Sequence, residues 1–513
     1  MEKIIFNKKI IKKVSYAHLF LSLLLSLTHY NLTALSKPLD KEPALYSAYS
    51  DILKLKLESG REKLHRIIPT QSQLGHYHYI SSLADVFEVL VTEDESVYKK
   101  FEDSEEDHLK GLKDLEDGDA HKLYYSAEIK IHWAVAKMLF DDEVKAGWSL
   151  KSAYGDIEEN IKDFPDFSAN YKSYGTLHVL FAVVPDSYHW LLRLFGVKAN
   201  SIQGWEELNL VEKANPYWIE TGLTKAMIAI NIINNEEKSM KILDDLLSAQ
   251  KDNLIINYLY HNALIKYARS EEALEGLKKL TYTSRSYFPI FNIYYKIGEI
   301  YIQKQNYALA RLYYSRFLNM HEGTNYIKDT WFKIFLTFWL EGNDKMAEIH
   351  WLKAKKTGRA FVSADTNAED ILSRDHYPNK TLIKARLAID GGYFNLANQA
   401  LGGIKQGFLT NKKEECEYFY RYARLYDKED KQEDAIFYYL NTIKKANREN
   451  WYYAPTASLY IGYIYEESLE YEKAQYFYEK ALSYKKHKYK AGIDNKALAA
   501  LELLKEKYPL EEE

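Results

Sequence analysis

The sequence predicts an all-α fold, an α-solenoid of stacked antiparallel helix pairs that is degenerate in its N-terminal half. Three observations lead there. Only 10 prolines and 22 glycines interrupt 513 residues, which favours long helices over a turn-rich β architecture. Residues 291–320 carry Tyr294-x2-Ile297-Gly298-x2-Tyr301 and then Ala310-x3-Tyr314, two apolar stripes of helical period in one short stretch. Downstream, Ala310, Ala347, Ala397, Ala435 and Ala474 stand 37, 50, 38 and 39 residues apart, each followed four residues later by a bulky partner: Tyr314, Trp351, Leu401, Tyr439 and Tyr478. A helix pair of this length cannot bury its own apolar face, so successive pairs must stack.

The chain divides into a signal peptide at 1–36, an N-terminal helical domain with degenerate repeats at 37–285, and a repeat array with a C-terminal capping helix at 286–508. Lys3, Lys8, Lys9, Lys12 and Lys13 precede an apolar run from Ala17 to Leu27 and then Ala34-Leu35-Ser36, a small-x-small peptidase site. The run is shorter than the roughly 20 residues that cross a bilayer, which favours export with cleavage near Ser36 and no integral membrane insertion afterwards. Tyr46, Tyr49, Leu53 and Leu57 predict one amphipathic helix over 43–68, and Ile80, Leu83, Ala84, Phe87 and Leu90 a second over 78–91. Leu109, Leu112 and Leu115 place a helix in the acidic 92–120 segment. Ala127, Ile131, Ala134 and Met138, then Ala146, Leu150 and Tyr154, give two more. Pro165 and Pro185 break the chain on either side of Leu177, Leu180 and Phe181. Looser pairs follow over 219–248 and 254–280.

Twelve residues before the recurring alanines stand Gly298, Phe335, Ala385, Ala423 and Gly462, so a small residue fails only at Phe335, where the pair must splay or shift register. The wide interval, with 358–378, reads as a protruding loop. A last helix from Asp494, as its N-cap, to Lys507 carries Ala497, Leu498, Leu501 and Leu504 on one side and caps the stack.

These motifs match the tetratricopeptide signature of two antiparallel helices in about 34 residues. The order Phe167, Tyr171-Lys172-Ser173-x-Gly175, Pro185, Leu192, Phe195-Gly196 and Gly204 to Leu208 resembles the central region of the tetratricopeptide repeat protein 39 and inclusion-body clearance family, and of exported bacterial tetratricopeptide proteins that share that block. The resemblance implies an all-helical scaffold with clearer repeats towards the C-terminus and no catalytic residues to carry over. The chain departs from the eukaryotic members in its export signal and around Ala199-Asn200.

Little in the sequence points to catalysis or to a cofactor. His321-Glu322 begins like a zinc-protease helix, but Asn325 stands where the second histidine is required. His76 and His78 flank Tyr77 without further ligands nearby and read as packed or solvated. Cys416 is the single cysteine, which precludes an intrachain disulfide and a cysteine zinc cluster. No glycine-rich phosphate loop or G-x-S-x-G elbow occurs. A formal charge of −4 spread over 513 residues gives little long-range field and argues against nucleic acid as the main partner.

In a tetratricopeptide superhelix the first helix of each unit lines the concave surface. The corresponding positions give a candidate groove of Asn292, Tyr295, Glu299, Phe332, Trp339, Tyr420, Arg424, Tyr463 and Glu466, a mixture of aromatic and polar groups suited to an extended peptide or a helix. The expected function is a non-enzymatic scaffold of the bacterial envelope, periplasmic or outer-membrane associated, that binds a protein or peptide partner. The alternative is a peripheral membrane or lipid-handling repeat protein, carried by the apolar segment 177–194 bent at Pro185.

Overall fold

A computed structural model describes residues 36–182, 200–404, 409–447 and 449–508. The leader predicted at 1–36 lies outside them apart from Ser36, as do Pro185, Leu191, Leu192, Phe195 and Gly196, and with them most of the 177–194 segment. Every regular element among the described residues is helical, and none of these helices is long and apolar enough to cross a membrane.

The first predicted helix is two. α1 (Pro43–Leu53) and α2 (Leu57–His65) are separated at Leu55, which adopts a left-handed φ of 63° with its side chain fully buried. That turn folds α2 back on α1, with Gly60 against Ile52. α3 (Leu74–Thr92) starts four residues earlier than the apolar pattern indicated, after a capping box made by Thr70 and Gln73 on a short 3-10 turn. α4 (Glu95–Lys100), α5 (Ser104–Leu112), α6 (Ala120–Leu139) and α7 (Glu143–Asp163) complete the first layers, Asp94 and Asp119 capping α4 and α6 with their side chains. α8 (Asn170–Ala182) and α9 (Ser201–Asn209) then cross where two glycines of the family-like block meet, and a Cβ on Gly175 would stand 2.5 Å from the Gly204 carbonyl oxygen. α10 (Trp218–Ile228) runs into a π turn at Ala229–Ile233, followed by α11 (Glu236–Ala249), α12 (Leu254–Lys266) and α13 (Ser270–Leu280).

The C-terminal half is a stack of tetratricopeptide-type pairs. α14 (Asn292–Gln303) pairs with α15 (Tyr307–Met320), and α16 (Ile327–Glu341) with α17 (Asp344–Lys356). After an inserted α18 (Ser363–Leu372) come α19 (Lys380–Gly391) with α20 (Phe394–Gly402), α21 (Lys412–Lys428) with α22 (Gln432–Ala446), and α23 (Tyr453–Glu467) with α24 (Tyr471–Ser483). All five recurring alanines are fully buried. Gly298 lies against the ring of Tyr314, where a Cβ would come within 2.7 Å, and Gly462 lies against the ring of Tyr478. At Phe335, where the small residue fails, the ring is buried edge-to-face against Trp351 at 4.8 Å and Tyr377 at 5.1 Å. Tyr377 belongs to the inserted segment.

That segment is not a protruding loop. Ala368 and Leu372 are four residues apart on α18 and both are buried against the core of α14–α17. Asp365 seats the helix by accepting backbone N–H bonds from Tyr326 (2.7 Å) and Asp329 (2.8 Å) at the start of α16. The apolar spacing that makes α18 amphipathic also makes it dock.

Two long-range contacts wind the stack tightly. α19 reaches α12 and α14, and Gly392, at φ 82°, presses its backbone on the Ala268 carbonyl. The last helix, α25 (Lys490–Lys507), packs on α24 and reaches back to α9 and the π turn. It begins at Lys490 rather than Asp494, which lies inside the helix and pairs with Lys490. Ala497, Leu501 and Leu504 face the stack, whereas Leu498 faces outward at 47% exposure.

Gly175→Ala forces a methyl against backbone and is expected to cost about 1–3 kcal/mol. Gly155→Ala, in the exposed middle of α7 with nothing within 4 Å of the new Cβ, is expected to stabilise by about 0.5–1 kcal/mol. Urea denaturation of the two variants checks both signs.

Candidate functional site

The first helices of the C-terminal pairs bound two adjoining cavities, and no residue of α15, α17, α20, α22 or α24 lines either. The first, about 690 Å³, lies between α14, α16, α18 and α19. The second, about 530 Å³, lies between α18, α19, α21, the strip at 450–453 and residues 488–489. Asn367, Ile371 and Arg386 line both, so the two adjoin along one channel-like surface, with α18 as a shared wall.

The first cavity is floored by a charge network. Lys333 Nζ lies 2.5 Å from Glu299 Oε1 and 2.9 Å from Asp329 Oδ2, and donates to Tyr295 Oη at 2.7 Å. Tyr295 donates in turn to Asp329 at 2.6 Å, and Lys296 pairs with Glu299 at 2.9 Å. Burial alone would push the Glu299 carboxyl up, but Lys296 and Lys333 outweigh it and bring the pKa down to about 2 from an ordinary 4.5. Asp365, on α18, goes the other way. Burial raises it to about 6, with Asp329 adding to the rise and its two backbone N–H donors opposing it.

The nine predicted groove residues divide among different surroundings. Tyr295, Glu299 and Phe332 line the first cavity, but Tyr295 and Phe332 are almost wholly buried and present little surface to a ligand. Arg424, Tyr463 and Glu466 line a separate cavity of about 660 Å³ where α21 and α23 meet the π turn and α25. Glu466 there accepts from Tyr478 at 2.5 Å, and Arg424 pairs with Asp427 at 2.9 Å. Tyr420 is buried between Tyr439, Tyr452 and Tyr453. Asn292 accepts from Tyr258 at 2.8 Å. Trp339 donates to the Pro378 carbonyl at 3.0 Å under the Lys380 ammonium.

Sequence reasoning missed the residues that dominate the second cavity: Arg374, Arg386, Lys413 and Arg421. One signal was available. Applying the first-helix positions to the pair beginning at Lys380 gives Asn379, Leu382, Arg386 and Ile389, and the first three line this cavity. Arg374, Lys413 and Arg421 fall outside the repeat positions: Arg374 follows α18, and Lys413 and Arg421 come from other positions on α21.

A second polar cluster sits in the N-terminal half. Lys172 Nζ lies 2.6 Å from Glu220 Oε1 and also pairs with Glu128, while Tyr49 (2.8 Å) and Tyr79 (2.6 Å) donate to Glu220 Oε2. Burial would raise the Glu220 carboxyl, but Lys172 and His132 hold it below the usual carboxylate range. Glu128, His132 and Glu220 have the donor atoms and proximity for a metal ion. The ammonium of Lys172 already occupies the space between the two carboxylates, so the cluster reads as an internal ion pair that ties α6, α8 and α10 together. His76 is likewise packed, bonded to Tyr125 at 2.5 Å and to the Lys37 carbonyl at 2.8 Å, and its pKa is lowered to about 3 by burial and then by His121.

No family model matches the chain, and no curated protein does. Among solved structures it is similar to the Rap protein complexed with competence and sporulation factor, at 12% identity over 89% of this chain and 98% of that one, with a TM-score of 0.36. It is also similar to a human IFIT1 dimer with PPP-AAAA, at 14% identity over 84% and 94% with a TM-score of 0.30. The P58(IPK) TPR domain matches at 16% identity over 83% and 100%, with a TM-score of 0.21. At these scores the similarities bear on neither site nor function.

Because Glu299 ionises more easily folded than unfolded, its contribution is complete above pH 4.5 and is lost as the pH falls towards 2. Glu299→Gln is therefore expected to flatten the stability profile over that window. Lys333→Met leaves Glu299 and Asp329 without their shared cation and is expected to cost about 3 kcal/mol at neutral pH. Thermal melts across the pH range check both.

Proposed function

We propose that this chain is an exported, non-enzymatic helical-repeat scaffold of the bacterial envelope that holds a protein or peptide partner in the inner channel. The observation that carries this reading is the continuity of the two cavities through Asn367, Ile371 and Arg386, bounded by first helices of successive pairs. A groove of that kind offers aromatic faces, amides and charges at the repeat spacing, which is what an extended chain needs for stacking and hydrogen bonds. The occupant meets α18 as well as the repeats, so the insertion belongs to the binding surface.

Export is supported by the lysine-rich start, the apolar run and the Ala34-Leu35-Ser36 site. The fold is engaged immediately after that site: the Lys37 carbonyl is bonded to His76, and Leu39 is fully buried. Kinship with the tetratricopeptide repeat protein 39 family is part of the same reading. It is supported by the Gly175–Gly204 contact, which gives two residues of the resembling block a steric role.

Asn367→Trp places a large ring where the two cavities join. In a pull-down from envelope extract it is expected to lose the specific partner while keeping the wild-type melting temperature, and capture at full strength would remove the channel from the account. Mass analysis of the purified mature chain is expected to show a new N-terminus close to Lys37. An intact Met1 would remove cleavage.

A further inference from the structure

The second cavity has more positive charge than its own structure uses. Five basic side chains line it, Arg374, Arg386, Lys413, Arg421 and Lys488, against three carboxylates, Asp370, Glu414 and Glu417. Each carboxylate is already engaged. Asp370 is shared by Arg374, at 2.9 Å, and Lys488. Glu417 takes Arg421 at 2.6 Å and the hydroxyl of Tyr453 at 2.9 Å. Glu414 accepts from the Thr410 backbone at 2.8 Å and from Asn379 at 3.3 Å.

Arg386 and Lys413 are left over. Neither has a hydrogen-bond or ion-pair partner among the described residues, and both are only partly exposed. The Lys413 ammonium is pushed below its ordinary range by burial and then by Arg374, with Glu417 opposing only in part. Trp451, Tyr452 and Tyr489 also line the cavity, Tyr452 and Tyr489 meeting edge-to-face at 5.3 Å. A guanidinium and an ammonium lining a cavity of about 530 Å³ together with three aromatic rings make a receptor for carboxylate groups on a flexible chain.

We infer that this cavity binds a segment of the partner carrying two closely spaced aspartate or glutamate side chains, with Arg386 and Lys413 as their direct ligands. The inference rests on the peptide-scaffold reading and deepens it by giving the partner's chemistry. Of the five cations only Arg386 stands at a groove position of the repeat; Lys413 and Arg421 lie elsewhere on α21, Arg374 follows α18 and Lys488 precedes α25, so repeat helices, insertion and the approach to α25 all contribute. The interleaved carboxylates favour a peptide over a nucleic acid. A phosphodiester chain carries a charge at every unit and would meet Asp370, Glu414 and Glu417, whereas an acidic peptide places neutral residues beside them.

The test uses the mature chain and fluorescence anisotropy with three labelled probes. One is a short peptide of glycine, serine and leucine with two aspartates, the second the same peptide with asparagines, and the third an oligouridylate of similar length. The acidic peptide is expected to bind roughly ten-fold more tightly than the amide peptide. The double variant Arg386→Gln, Lys413→Gln is expected to abolish that preference, while Arg285→Gln, an exposed change outside the cavity, leaves it. Neither replaced group makes a hydrogen bond or close ion pair among the described residues, and each has the more distant Glu417 as a counter-charge, so the melting temperature should hold within a few degrees and a loss of binding reports the site.

Equal binding of the two peptides, or a preference that survives the double variant, overturns the inference while leaving the scaffold reading standing. Tighter binding of oligouridylate that is lost in the double variant overturns it in favour of a nucleic-acid site. No binding of any probe removes the inference, and the envelope pull-down then decides the scaffold reading separately.

Discussion

Paired helices stand close in this protein because a residue with almost no side chain on the first helix receives a large ring from the second. Gly298 takes Tyr314 and Gly462 takes Tyr478, while Ala423 and Tyr439 share one core. Each ring contributes the hydrophobic gain of a buried aromatic, but its hydroxyl then needs a partner inside the pair. The first helix supplies one from the residue twelve positions earlier: Glu466 accepts from Tyr478 and Asp427 from Tyr439. At the equivalent place in the first clear pair stands Ile302, and the Tyr314 hydroxyl has no hydrogen-bond partner among the described residues. The same interlock therefore fixes helix spacing and consumes acidic groups that would otherwise face the inner surface.

What remains for a ligand is set by the insertion. Without α18 the inner surface of α14 and α16 would be an open groove. With Ala368 and Leu372 packed down and Asp365 bonded to the start of α16, that groove becomes a walled channel. The insertion also delivers Arg374 beside Arg386 and Lys413, on three different segments. The channel's charge thus comes from the repeat helices together with what interrupts them.

The architecture was legible because its constraint is local and periodic. Ala310, Ala347, Ala397, Ala435 and Ala474 recur at near-constant spacing, and all five are buried as that spacing required. The failures have physical reasons. One helix was expected over 43–68 because apolar periodicity runs through Leu53 and Leu57, yet Leu55 takes a left-handed turn that no propensity signals. The 358–378 insertion read as a loop because its helix is short and only Ala368 and Leu372 along it are fully buried apolar residues. The predicted groove positions divide between two separate cavities and packed surroundings, because occupancy is a tertiary property. Tyr295 and Tyr420 are committed to neighbouring helices, whereas Arg386, at the place that Glu299 and Arg424 take in their pairs, makes no close ion pair because Glu417 is taken by Arg421. Sequence spacing specifies where a side chain starts and not which neighbour reaches it first.

A stack whose units touch only their neighbours can fray from either end, one pair at a time. The return of α25 to α9 and the π turn removes that freedom, because peeling away the final pair also strips cover from residues about 270 positions earlier in the chain. Melting should then spread as in a latched hoop rather than an open spring.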